Sequence, residues 1–148
     1  MRAPEIRRAT KDDADAIANV IRQLGDHNIG LPGDWNAERV REWIGRLGED
    51  GMVIVAYDGS IPAAFGALDF NTTEPETGLL GVWVLPEHRR KGLATELAER
   101  LVEFGRDRGY RRIRGRLPDG NEPALSFLSA IGAMVPLRNP KMTFELPL

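Results

Sequence analysis

The chain has 148 residues, 42% hydrophobic and 28% charged, which suits one soluble globular domain, expected here over residues 1–148. Its net charge of −2 gives no electrostatic reason to expect nucleic-acid binding. With no cysteine and only two histidines, His27 and His88, far apart in sequence, disulfides and thiolate chemistry are excluded and no metal is expected. The first eight residues are charged, so no signal peptide is expected, and no apolar run approaches the ~20 residues of a membrane span. The expected location is cytoplasmic.

In chain order, Glu5 to Thr10 reads as a first strand. Thr10 is placed to cap a helix, with Asp12 and Asp13 in its first turn where the helix dipole favours acids. Ile17, Val20, Ile21 and Leu24 lie on one face of that helix, which ends at Gly25. Gly25 to Asn36 is turn-rich and aperiodic. Asn36 caps a second helix with Val40, Trp43, Ile44 and Leu47 as its stripe. The period then changes. Met52–Tyr57 is an apolar strand, Asp58-Gly59 a hairpin turn, Ile61–Phe70 a second strand, and Leu79–Leu85 a third that completes an antiparallel meander.

Pro86 stops that third strand, because it has no N–H for a ladder. Cationic residues follow, and Lys91-Gly92-Leu93-Ala94-Thr95 opens a helix whose stripe is Leu93, Leu97 and Leu101 with Ala94 and Ala98. A strand, a cationic turn and a helix start together suit an anion. The first helical N–H groups lack partners within the helix, and the macrodipole favours negative charge there. Gly92 allows close approach of a ligand, small Ala94 keeps the groove open, and Arg89, Arg90 and Lys91 add positive field. The expected guest is a phosphate or pyrophosphate. Neither G-x-G-x-x-G nor G-x-x-x-x-G-K-[ST] occurs. After the helix, Gly109 closes it and apolar Ile113, Gly115 and Leu117 alternate with Arg112, Arg114 and Arg116. Asn121 caps a short helix ending at Gly132, and Met142–Leu146 reads as a last strand.

Arg89-x-x-Gly92-x-Ala94 behind Val84-x-Pro86 resembles the pyrophosphate loop of the GNAT superfamily of acetyl-CoA-dependent N-acetyltransferases, whose signature is Gln/Arg-x-x-Gly-x-Gly/Ala. Asn121-x-x-Ala124 followed by Gly132 resembles the family's fourth-helix motif. That motif usually ends in Gly-Phe and carries a Tyr four positions before the Gly; here those positions are Ala133 and Leu128. The order β-α-α-β-β-β-α-β-α-β matches the GNAT fold along essentially the whole chain. The resemblance therefore implies an α/β, single-domain GNAT-like fold with a mixed, mostly antiparallel sheet and helices on both faces.

It also implies that the backbone of Val82, Trp83 and Val84 pairs with the pantetheine arm of acetyl-CoA. The amides from Arg90 to Thr95, Leu93 and Ala94 included, would hold the pyrophosphate, and Asn121 would bond the pantetheine arm as well as cap its helix. Rigid amides suit an oxyanion because they donate without needing protonation. The acceptor must be a neutral amine, yet an amine of pKa about 10.4 is at most ~0.1% neutral at pH 7, a deficit of more than about 4 kcal/mol. A general base would offset this. The third strand carries no carboxylate, so Asp69 and Glu76 are the base candidates nearest in sequence, each otherwise a turn or solvated residue. His27 and Trp35 lie in the loop that borders the acceptor side in this family; a plain loop role is the alternative. The three arginines Arg112, Arg114 and Arg116 are either a charged face paired with acids or a field for anions.

The expected activity is acetyl transfer from acetyl-CoA to an amine, by direct attack in a ternary complex without an acyl-enzyme. The alternative is a CoA-binding module without catalysis, a sensor or interaction domain. Expected partners are a small-molecule or peptide amine and, as dimers are common in the superfamily, a second copy of the chain; no nucleic acid, membrane or metal is expected.

Overall fold

The computed structural model describes residues 5–24, 36–70, 72–88, 92–116 and 143–147. Its centre is a sheet of six strands in chain order: β1 (Glu5–Arg8), β2 (Met52–Asp58), β3 (Ile61–Phe70), β4 (Thr77–Val84), β5 (Arg112–Arg116) and β6 (Thr143–Pro147). All neighbours are antiparallel except β4 and β5, which run parallel because helix α3 (Leu93–Arg108) carries the chain back between them. Helices α1 (Ala14–Leu24) and α2 (Ala37–Leu47) precede β2. The expected helix at Asn121–Gly132 lies outside the described residues.

Alternation along the strands divides the core in two. Ile54, Ala56, Ala64, Leu68, Leu80 and Val84 face α3 and pack on Leu93, Leu97, Leu101 and Val102. Val53, Val55, Phe65 and Ala67 face the other way and pack on Ile17, Val20, Ile21, Val40, Trp43 and Leu47 of α1 and α2. Burial on both faces is why β2 reads as a continuous apolar run. The pairing of β2 with β3 shifts register between Ala56 and Tyr57, beside Pro62.

The helix starts differ. Before α1, the short turn Lys11–Asp13 is closed by a capping box. The Asp12 N–H donates to Thr10 Oγ1, and the Thr10 N–H donates to Asp13 Oδ2 at 2.9 Å. Asp13 is buried, and its other carboxylate oxygen accepts from Arg7 at 2.7 Å and from the Tyr57 hydroxyl at 2.8 Å. Burial pushes the Asp13 carboxyl up, but the Thr10 amide, Tyr57 and Arg7 outweigh it and hold the carboxyl below its usual range. At α2, Asn36 Oδ1 accepts from the Arg39 N–H at 3.0 Å. At α3 the cap is Gly92, and no side chain caps the helix.

Candidate active site

Two features of the sheet and α3 bear on the site. The first is the parallel pairing of β4 with β5: among the described residues Thr77 to Leu80 pair with Arg112 to Gly115, and β4 continues to Val84. The Leu85 N–H donates to Ala63 O at 3.0 Å, so odd-numbered residues of β4 turn their backbone groups to β3. Val82 and Val84 turn theirs toward the β5 side.

The second feature is the start of α3. It lies four residues past His88, hence within ~14 Å of the turn that ends β4. Gly92 adopts φ 78°, ψ 5°, the left-handed region that only glycine enters readily. A Cβ there would meet no atom of the described residues within 4 Å. The first helical bond runs from the Glu96 N–H to Gly92 O at 3.1 Å. The N–H groups of Leu93, Ala94 and Thr95 consequently precede the helical ladder. With no side-chain cap at Gly92 and the positive end of the dipole behind them, their chemistry suits an anion. Gly92, Leu93, Ala94 and Thr95 thus come together at one helix end; Arg89, Arg90 and Lys91 lie outside the described residues, as do His27, Trp35, Asn121 and Leu128.

The two carboxylates expected near the chemistry sit differently. Glu76 lies just before β4, with its side chain 53% exposed and 3.6 Å from the Arg111 guanidinium. Six residues of strand separate it from Val82, about 20 Å. Asp69 pairs with Leu79 across the β3–β4 ladder, on the face that carries α1 and α2. Its Oδ2 accepts from Trp43 Nε1 at 3.1 Å and from Arg46 at 3.0 Å, which ties α2 to the sheet. Its Oδ1 is buried with no hydrogen-bond partner among the described residues. The link from α2 to Asp69 has no signature in sequence, since the three residues span 26 positions. Arg114 pairs with Glu74, which fits the charged-face reading of that arginine.

Both tyrosines of the chain are engaged elsewhere. The Tyr57 hydroxyl donates to Asp13, and the Tyr110 hydroxyl donates to the Asp50 carbonyl. His88 is largely buried, with Nδ1 3.7 Å from Asp58 of the β2–β3 hairpin, so it packs inward instead of standing in solvent. Among the described residues no group of three or more His, Cys, Asp or Glu could hold a metal, and no helix is long and apolar enough to cross a membrane.

The fold and the glycine-led start of α3 can be compared with known proteins. The model of the Acetyltransferase (GNAT) family matches residues 21–133. YjgM of Escherichia coli (strain K12), described as an uncharacterized N-acetyltransferase, is 30% identical over 118 residues, covering 74% of this chain and 70% of that protein. A GNAT-family acetyltransferase from Streptococcus pneumoniae superposes with a TM-score of 0.83 at 16% identity, covering 99% of this chain and 100% of that one. YncA from Salmonella typhimurium, solved with acetyl-CoA, gives 0.80 at 20% identity, covering 99% and 95%. PaiA N-acetyltransferase from Thermoplasma acidophilum, solved with coenzyme A, gives 0.79 at 17% identity, covering 99% and 100%. The structures share the fold, and the match over residues 21–133 carries the descent: this chain belongs to the GNAT family of acetyltransferases.

Proposed function

We propose that the chain transfers the acetyl group of acetyl-CoA to the nitrogen of an amine by direct attack, with both substrates bound. The observation that carries this is the glycine-led start of α3, with no side-chain cap at Gly92, a few residues past the end of β4. The amides of Gly92 to Thr95, with Arg89, Arg90 and Lys91, hold the pyrophosphate. The pantetheine arm follows the backbone of Val82, Trp83 and Val84, and Asn121 bonds it. That places the thioester along β4 past Leu80, with backbone donors near its carbonyl oxygen. The YncA and PaiA structures, solved with acetyl-CoA and coenzyme A, support the choice of ligand.

The amine must shed a proton before or during attack. Of the two carboxylates, Asp69 has the better claim to receive it, through water. It lies on the α1–α2 face, Trp43 and Arg46 orient it, and its Oδ1 has no partner among the described residues. Glu76 faces solvent near Arg111. His27 and Trp35 would border the acceptor. The departing thiolate needs no tyrosine acid: Leu128 stands at the usual position, and thiols of pKa about 8.5 leave readily. The protein works in the cytoplasm as one domain, alone or as a homodimer, on a small-molecule or peptide amine and without nucleic acid.

The test is an amine panel with acetyl-CoA, following CoA release with a thiol reagent; the chain has no cysteine to interfere. Turnover with at least one amine is expected, falling ~10²-fold or more in Asp69→Asn and little in Glu76→Gln or Tyr110→Phe. Acetyl-CoA binding without turnover on any amine would favour the binding-module reading.

A further inference from the structure

Trp83 is the one aromatic side chain on β4, and its seat is unusual. It is partly exposed, on the face opposite α3, and its ring stacks on Phe65 of β3 with centroids 4.7 Å apart and planes 17° from parallel. The spacing equals that between neighbouring strands, so both rings stand on edge side by side. From that stance the indole reaches back along its own strand and lies over Gly81. A Cβ on Gly81 would fall 2.1 Å from Trp83 Cη2 and within 2.8 Å of Cζ2 and Cζ3. Gly81 is thus the residue that admits the indole. The ring covers the part of β4 just past Leu80, the last β4 residue paired with β5 among the described residues.

Resting on the reading above, the thioester lies along β4 past Leu80 and the amine must reach it across one face. The α3 face is filled by Leu80, Val84, Leu93 and Leu97, with Val82 packed against them. The other face presents Leu79, 39% exposed, then Gly81 under the Trp83 ring, with no charged side chain on this side of β4. We infer that the Trp83 indole, seated over Gly81, is the floor of the acceptor site and selects primary amines that carry an apolar or aromatic group near the nitrogen.

The experiment measures kcat and KM for phenethylamine, n-butylamine, ethanolamine and spermidine, alongside calorimetry of acetyl-CoA binding, in the native protein, Trp83→Ala, Trp83→Phe, Gly81→Ala and the double variant. Phenethylamine should be the best of the four. Trp83→Ala should raise its KM about tenfold, as loss of an apolar contact does, a much larger change than in the KM for ethanolamine or in acetyl-CoA affinity. Trp83→Phe should recover part of the loss. Gly81→Ala should reproduce the selectivity change by displacing the ring, and should add nothing once Trp83 is alanine, the non-additivity expected of two residues acting through one contact. The inference is overturned if a protein that binds acetyl-CoA prefers ethanolamine or spermidine, or acetylates none of the four. It is also overturned if Trp83→Ala, with its melting transition intact, keeps the native order of preference. Failure of the native protein to bind acetyl-CoA would instead overturn the reading beneath it.

Discussion

The starts of α1 and α3 solve the same physical problem in opposite ways. Each leaves backbone N–H groups without helical partners. Ahead of α1 the protein answers with its own side chains: Thr10 and Asp13 close a capping box, and Arg7 and Tyr57 complete the carboxylate's shell. At α3 it withholds a side chain and places Gly92 in a left-handed conformation, where a Cβ would meet no atom of the described residues within 4 Å. A start closed by side chains serves stability. A start left open leaves its N–H groups for another partner, which we propose is the pyrophosphate.

Closing the open start should have the largest effect. Gly92→Glu puts a side chain and a negative charge where the pyrophosphate belongs, and should abolish measurable acetyl-CoA binding by calorimetry. Gly92→Ala should weaken binding less, and should also lower stability by ~1–2 kcal/mol because of its positive φ. An unchanged affinity in a folded Gly92→Glu variant would remove the distinction between the two starts.

Opening the closed start should affect stability and not the ligand. Asp13→Ala removes the buried carboxylate that accepts from Thr10, Arg7 and Tyr57 and should cost roughly 2–3 kcal/mol. At this chain length that lowers Tm by on the order of 5–10 °C, with acetyl-CoA affinity unchanged. The pH dependence follows in sign. The Asp13 carboxyl is held below its unfolded value, so its contribution is complete above about pH 4 and fades as the pH falls through the lower folded value. Asp13→Asn should therefore flatten this part of the acid branch of a stability profile. The smallest effects belong to the caps alone: Thr10→Ala and Asn36→Ala should each cost ~1 kcal/mol by chemical denaturation.

These contrasts also show how far the residues speak for themselves. Thr10 with Asp13, Asn36 with its stripe, and Asp58-Gly59 announce helix starts and a hairpin because their chemistry is local. The strand at β4 was legible as an apolar run, though it starts at Thr77 instead of Leu79; the two extra residues pair with Arg112 and Ile113, partners distant in sequence. The glycine-led helix start that we propose as the pyrophosphate seat was legible because a glycine and a cationic cluster sit together in the chain. The helix there begins at Leu93, after a separate turn at Pro86–His88, because Gly92 breaks the helical conformation. The ties of Asp69 to Trp43 and Arg46, and the fold of Trp83 over Gly81, were not legible. Each depends on which strand face and which helix meet, which no short window of residues encodes.

The central claim is that the start of α3, and not that of α1, receives the anionic end of acetyl-CoA. Backbone amide NMR during titration with acetyl-CoA tests it directly. The amides of Gly92, Leu93, Ala94 and Thr95 should shift strongly, Val82 should follow, and Asp12, Asp13 and Ala14 should stay in place. Shifts centred on Asp12 to Ala14, or saturation with Gly92 to Thr95 unmoved, would contradict the account.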